Sequence, residues 1–216
     1  MRAEFPLLVG VFPFGLIYGV VALDAGLNQA AAQAASSIIF AGSSQFVFAQ
    51  LVHGNAPALV ILVSIFIVNL RHALYSASIA PYFEKLSSRW KPILAYLLTD
   101  EAYAVAIVEL RKNPEAPNGH WLYIGAGVAL WTTWQVSTAA GVFLGAAVPS
   151  TWALDFTLAL TFIAMVIPLL RDRPTTAAAL TAGITALLAN ALPYRLGLVA
   201  AALVGILTGT ILEKRQ

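Results

Sequence analysis

The sequence predicts an all-α membrane protein, a polytopic bundle of about eight hydrophobic segments, one or two of them broken or re-entrant. Three observations carry this reading. Of the 216 residues, 60% are hydrophobic and 10% charged, whereas a soluble domain carries roughly 25% charged residues to wet its surface. Mean hydropathy is +0.82. Apolar bands of ~20 residues, each long enough to cross a hydrocarbon core ~30 Å thick, recur from one end to the other. The bands are continuous rather than alternating over ~10 residues, which selects helices over barrel strands. A nucleic-acid binder, a secreted disulfide scaffold and a cytosolic enzyme are disfavoured. The lack of cysteine removes thiol catalysis, thiolate metal sites and iron–sulfur ligation.

The bands cover about 5–23, 30–52, 56–80, 92–109, 121–147, 153–170, 175–191 and 194–212. Eight spans of ~20 residues use about 160 positions, so the connections are short and residues 1–216 read as one integral membrane domain. The first band is too long and too rich in Gly and Pro for a cleaved signal sequence, and is read as a retained span. Gly15–Gly19, Gly141–Gly145 and Gly205–Gly209 are GxxxG spacings, which let helices approach closely in lipid. Packing within the chain outweighs a dimer interface as their explanation.

Band two is interrupted by Phe40-Ala41-Gly42-Ser43-Ser44-Gln45-Phe46. Ser bonds its own backbone and Gly raises the entropic cost of helix formation. A break over Gly42–Gln45 and an unbroken helix bonded to a neighbour are both open. Unwound backbone at membrane depth is tolerated where it lines a cavity or is buried in protein, and transporters hold charged solute groups with it.

Band three ends in Asn69-Leu70-Arg71-His72-Ala73-Leu74-Tyr75. On a helix Asn69 and His72 share one face, Arg71 and Tyr75 another. Arg71 either faces a partner or a solute inside the bundle, or snorkels to the interface. His72 is a proton relay or a hydrogen-bonded structural histidine.

Band four holds Thr99-Asp100-Glu101, with Tyr96 one turn earlier and Tyr103 following. Adjacent carboxylates diverge by about 100° on a helix. One can therefore neutralise Arg71 while the other faces elsewhere and titrates; a purely structural ion pair is the alternative.

Asp24 and Asp155 sit at band edges and read as interfacial helix caps. Trp121, Trp131, Trp134 and Trp152 fall partly at band edges, as an aromatic belt requires; Trp131 and Trp134, with Thr132, Thr133 and Gln135, lie deeper and are candidates to line a path. If all bands cross from a cytoplasmic N-terminus, Arg2, Arg111, Lys112, Arg171, Arg173, Lys214 and Arg215 lie inside, and Lys85, Arg89, Lys91 and Arg195 outside. If bands two and four re-enter, every flanking base except Arg195 is cytoplasmic. No catalytic or cofactor motif is present. His53, His72 and His120 stand in different segments or loops, which gives a metal triad little support.

These residues carry a resemblance. Pro13-Phe14-Gly15, the Phe40–Phe46 stretch, Asn69-Leu70-Arg71-His72 with Leu74-Tyr75, Leu98-Thr99-Asp100-Glu101, and Leu154-Asp155-Phe156 resemble the AzlC/YgaZ family of branched-chain amino-acid permeases, in order over nearly the whole chain. Ser43 departs from the small apolar Ala common there. The resemblance implies export of valine, leucine and isoleucine across the bacterial inner membrane by a multi-pass protein, with a small AzlD/YgaH-type membrane subunit as partner and membrane lipid around it. No cofactor or nucleic acid enters this expectation. On this reading Gly42, Ser43, Ser44, Gln45, Phe46, Asn69 and Arg71 bind the substrate, and His72, Tyr75, Asp100 and Glu101 form a proton-coupling or charge network. The rivals are a structural or regulatory membrane subunit and a passive channel; an intramembrane enzyme lacks a catalytic set.

Overall fold

The computed structural model describes residues 5–113, 118–144, 170, 172–192 and 196–214, and all their regular structure is helical. The helices are α1 (Phe5–Asp24), α2 (Gln29–Ile38), α3 (Gly42–His53), α4 (Ala58–Ile79) continued by a 3-10 turn (Ala80–Phe83), α5 (Trp90–Tyr96), α6 (Asp100–Lys112), α7 (Gly119–Leu144), α8 (Arg173–Leu188) and α9 (Leu196–Glu213). Seven of the eight expected bands coincide with these elements. Except for residue 170, band 153–170, with Trp152 and Asp155 at its start, lies outside the described residues, as do Gly145, Arg171 and Arg195.

Two of the bands are not single helices. Band two is α2 plus α3, of 10 and 12 residues, and band four is α5 plus α6, of 7 and 13. At 1.5 Å per residue the longest of these pieces extends about 20 Å, short of a ~30 Å core. Among the described residues, two helices are long and apolar enough to cross a membrane unaided: Leu7–Asp24 in α1, and Ala58–Phe83, which is α4 with its 3-10 turn. Eight crossing helices are therefore not what the described residues display.

The chain forms two compact units, residues 1–46 with 68–148, and residues 47–67 with 149–216. In the first unit α1 packs on α7 through the expected small residues. A Cβ at Gly19 would stand 2.5 Å from the Thr138 carbonyl oxygen and 2.7 Å from the Val142 nitrogen, and one at Gly141 would collide with the Leu16 carbonyl. Such backbone contact replaces the hydrophobic drive that lipid cannot supply. Ile79, Phe83, Leu94, Leu98, Leu110 and Tyr123 form a buried cluster joining α4, α5, α6 and α7. Trp90, His120 and Trp121 gather at the starts of α5 and α7, with ring centroids 5.2–5.5 Å apart.

In the second unit Gly205 and Gly209 of α9 face Ala182 and Ala178 of α8, with Cβ clearances of 3.0 and 3.3 Å. Two of the three GxxxG spacings thus serve packing within the chain. Asp172 caps α8: its Oδ1 accepts from the Thr175 N–H at 2.8 Å, and these Thr175 bonds hold its carboxyl below the usual carboxylate range. Asp24, by contrast, is the last residue of α1, so it marks a helix end but not the N-terminal one. The turn beyond it is closed by Gly26 at φ 91°, with Leu27 N–H bonded to the Ala22 carbonyl at 3.1 Å.

Apolar side chains stay outside throughout. Leu59, Leu62, Phe66 and Leu74 along α4 are 66–72% exposed, and Leu187 and Leu188 on α8 are 79% and 81% exposed. Water would penalise so continuous a surface; hydrocarbon does not.

Candidate functional site

The first interruption lies at Ile39-Phe40-Ala41, three residues before the stretch expected to open. Ile39 has φ −100° and ψ 68°, and α3 restarts when the Gln45 N–H bonds the Ala41 carbonyl at 3.0 Å. Gly42–Gln45 is the first turn of α3, not the unwound segment itself. The correction has a physical cause. Ending α2 frees carbonyls, and the Gln45 side chain satisfies two of them: its Nε2 donates to Ser36 O at 3.0 Å and Ile39 O at 2.5 Å. Trp134 of α7 then donates its indole N–H to Gln45 Oε1 at 2.9 Å. Gln45 therefore clamps the break rather than facing a solute. Gly42 lies so close to the Trp134 ring that a Cβ there would come within 2.9 Å of it. Phe46 is 2% exposed and meets Tyr18 edge-on at 6.0 Å.

The second interruption lies at Leu97-Leu98-Thr99. Thr99 takes an extended conformation and its Oγ1 accepts from the Ala102 N–H at 3.2 Å, capping α6. Asp100 and Glu101 consequently open a helix instead of sitting in the middle of one. Their charge there complements the positive end of the helix dipole.

Arg71 joins the two helix starts. Its Nη1 stands 3.0 Å from Asp100 Oδ2, and its Nη2 donates to Ser43 Oγ at 2.7 Å. Two residues before it on α4, Asn69 Oδ1 accepts from Ser44 Oγ at 2.6 Å. Of the two acids it is Asp100 that neutralises the arginine; among the described residues Glu101 forms no ion pair. Arg71 and Asp100 are 30% and 32% exposed. The pair is thus neither fully buried nor fully exposed. Arg71 Nε and His72 Nε2 are buried and make no hydrogen bond among the described residues, so the arginine keeps a spare N–H donor beside the pair.

Aromatic rings line the α4–α6 side. Tyr75 stacks on Tyr103 at 4.6 Å and 16°, His72 meets Tyr75 edge-on at 6.0 Å, and the Tyr103 hydroxyl bonds Ser78 at 2.8 Å. Tyr96, the last residue of α5, donates to Ser37 O at 2.7 Å and accepts from Trp131 Nε1 at 2.7 Å. The two breaks are therefore tied to each other and to α7.

Sequence reasoning missed the polar lattice between α2 and α7. Gln135 Oε1 accepts from Gln33 Nε2 at 2.7 Å and Ser37 Oγ at 2.9 Å, and Ser36 bonds Thr138 at 3.0 Å. A signal existed: Gln33, Ser36 and Ser37 fall on one helical face of an apolar band, and so do Gln135 and Thr138. Thr132, placed with the deeper tryptophans as a path-lining candidate, is exposed.

Comparison with known proteins extends this picture. No solved structure matches the chain. The profile of the family described as AzlC protein matches residues 6–148, which contain both breaks and all of the Arg71 cluster. An uncharacterized membrane protein of Archaeoglobus fulgidus is 34% identical over 211 residues, covering 94% of this chain and 89% of its own length. The inner membrane protein YgaZ of Escherichia coli K12 is 26% identical over 145 residues, 67% of this chain but only 59% of YgaZ. An uncharacterized membrane protein of Helicobacter pylori is 30% identical over 100 residues, 46% of this chain and 43% of its own length. A profile that spans the paired breaks, a relative matched almost end to end, and helices dressed in exposed apolar side chains agree: the chain belongs to the AzlC family and is a membrane protein with a transport-related role.

Proposed function

We propose that this protein is the large subunit of a secondary exporter of branched-chain amino acids, a multi-pass protein of the bacterial inner membrane that works with a small AzlD/YgaH-type membrane subunit and couples export to protons. The observation that carries the reading is the half-exposed Arg71–Asp100 pair, held with Ser43 between the starts of α3 and α6. A guanidinium presents a fork of donors suited to carboxylates. Asp100 holds one arm of that fork, Nη1, and Ser43 the other, Nη2. A substrate carboxylate is the same chemical group as that of Asp100 and competes for the fork, favoured also by the positive helix ends. Displaced from Arg71, Asp100 loses the charge that stabilises its anion, and takes up a proton or meets the substrate ammonium. Substrate binding at Arg71 and proton uptake by Asp100 then favour each other, and such reciprocal linkage is a coupling between the two.

Protein reconstituted with its small partner should export valine in a manner dependent on a pH gradient, and Arg71→Ala and Asp100→Asn should each remove that dependence. If both variants export valine as the parent does, the site is wrongly assigned. Flux without saturation or counter-transport would indicate a channel instead.

A further inference from the structure

A cavity of about 600 Å³ opens where α4 ends, between its 3-10 turn, α5 and α7; small-molecule sites occupy roughly 300–1,000 Å³. Its floor is apolar: Ile79, Phe83, Leu94, Leu98 and Tyr123 are each at most 7% exposed. The one floor hydroxyl is already used, since Tyr123 donates to the Leu94 carbonyl at 2.9 Å. Small residues, Ala77, Ala80 and Ala95, keep the rim open.

Two charges of opposite sign, Glu84 and Lys91, complete the rim, and neither forms an ion pair among the described residues. A second cavity of about 610 Å³ beside α6 also carries an acid and a base, Glu109 and Lys112, but these pair with each other at 3.6 Å. The first cavity therefore leaves a carboxylate and an ammonium free above an apolar floor.

The position of this cavity matters as much as its chemistry. Ala77 stands six residues beyond Arg71 on α4, about 9 Å along the axis at 1.5 Å per residue, and Leu98 belongs to the break that ends at Asp100. On the other side its lining reaches Glu84 and Lys91, the two ends of a polar stretch of the sequence. The cavity thus lies between that stretch and the Arg71–Asp100 pair.

We propose that this cavity is a second binding site, a vestibule that takes a zwitterionic amino acid with an apolar side chain before it reaches Arg71. The ammonium meets Glu84, the carboxylate meets Lys91, and the side chain rests on Ile79, Leu94 and Leu98. The proposal rests on the transport reading for its substrate class, but assigns residues outside the Arg71 cluster.

The absence of cysteine makes a direct test available. In Ala80→Cys or Ala95→Cys the introduced thiol is the sole one, and its maleimide labelling is followed in vesicles of phosphatidylglycerol, which offer no zwitterionic headgroup. Leucine should slow labelling several-fold. Glycine, without the side chain, and 4-methylpentanoate, which is leucine without its ammonium, should slow it far less. Glu84→Gln or Lys91→Gln should remove the protection, whereas Arg71→Ala should keep it while losing flux. Equal protection by leucine and glycine, or full protection in both rim variants, would overturn the vestibule. Protection abolished by Arg71→Ala alone would overturn it too, while leaving the transport reading in place. Leucine protection in a chain with no leucine flux under any gradient would support the cavity and sink the transport reading.

Discussion

Hydroxyl groups behave differently in the two units of this protein. In α8 and α9, Thr181, Thr185, Thr208 and Thr210 each donate to a carbonyl four residues earlier in the same helix, at 2.7–2.9 Å. Each group is satisfied locally, and the helices meet through Gly and Ala. In the first unit Ser36, Ser37, Ser43 and Ser44 reach other elements instead: Thr138, Gln135, Arg71 and Asn69. The reason lies in the broken helices, which release backbone and side-chain groups that no local turn can satisfy. Polar groups in a membrane protein are costly unless paired. A region that maintains a cross-element polar lattice is therefore where the chain has retained something other than packing.

Removing the centre of the lattice should have the largest effect. Arg71→Ala leaves Asp100 without its counter-charge and Ser43 without its donor, and is expected to lower valine flux by about 100-fold, a coupling loss of roughly 3 kcal/mol. Arg71→Lys keeps the charge without the fork and should recover only part of the flux. Radiolabelled valine exchange in vesicles reads both.

Next comes the clamp. Trp134→Phe preserves the ring against Gly42 but leaves Gln45 Oε1 without its donor, which costs about 1–3 kcal/mol for a buried acceptor. Its unfolding temperature in detergent should fall with flux reduced but present. An unchanged unfolding temperature would mean that Gln45 does not hold the break.

The same kind of change in the second unit should do little. Thr181→Val removes a hydroxyl that serves only its own helix, so stability should stay within about 0.5 kcal/mol of the parent and flux should be unaltered. A large flux loss would erase the contrast between the units.

The smallest effect concerns Asp172, whose folded-state carboxyl lies below its ordinary value. The stability it contributes is present above the unfolded-state value and is lost as pH falls through the folded-state one. Asp172→Asn should therefore lower the unfolding temperature slightly at neutral pH, with the gap to the parent closing in strong acid, and transport should not respond.

Much of this layout was legible in the residues. Apolar bands placed the helices, and polar residues inside bands two and four announced both interruptions, because membrane helices rarely carry such groups without use for them. An acid of band four was a foreseeable partner for Arg71. Ile39-Phe40-Ala41, however, carries no breaking signal of its own. That stretch is open because Gln45 and Tyr96 capture the carbonyls around it, Gln45 from nine and six residues away and Tyr96 from 59, and no breaking residue announces either capture. Thr99 was readable as a helix cap followed by acids in the first turn, but only if band four was not taken as continuous. The α2–α7 lattice joins positions about a hundred residues apart, such as Ser36 and Thr138, and no local pattern pairs them.

The central claim is that Asp100 holds the place of a substrate carboxylate on Arg71 and takes up the proton when displaced. Its most direct test is proton movement measured alongside valine counterflow in vesicles containing Asp100→Asn. The account predicts that valine still exchanges, because Arg71 and Ser43 remain, while the accompanying proton movement disappears. Proton movement of parental stoichiometry in Asp100→Asn would contradict it.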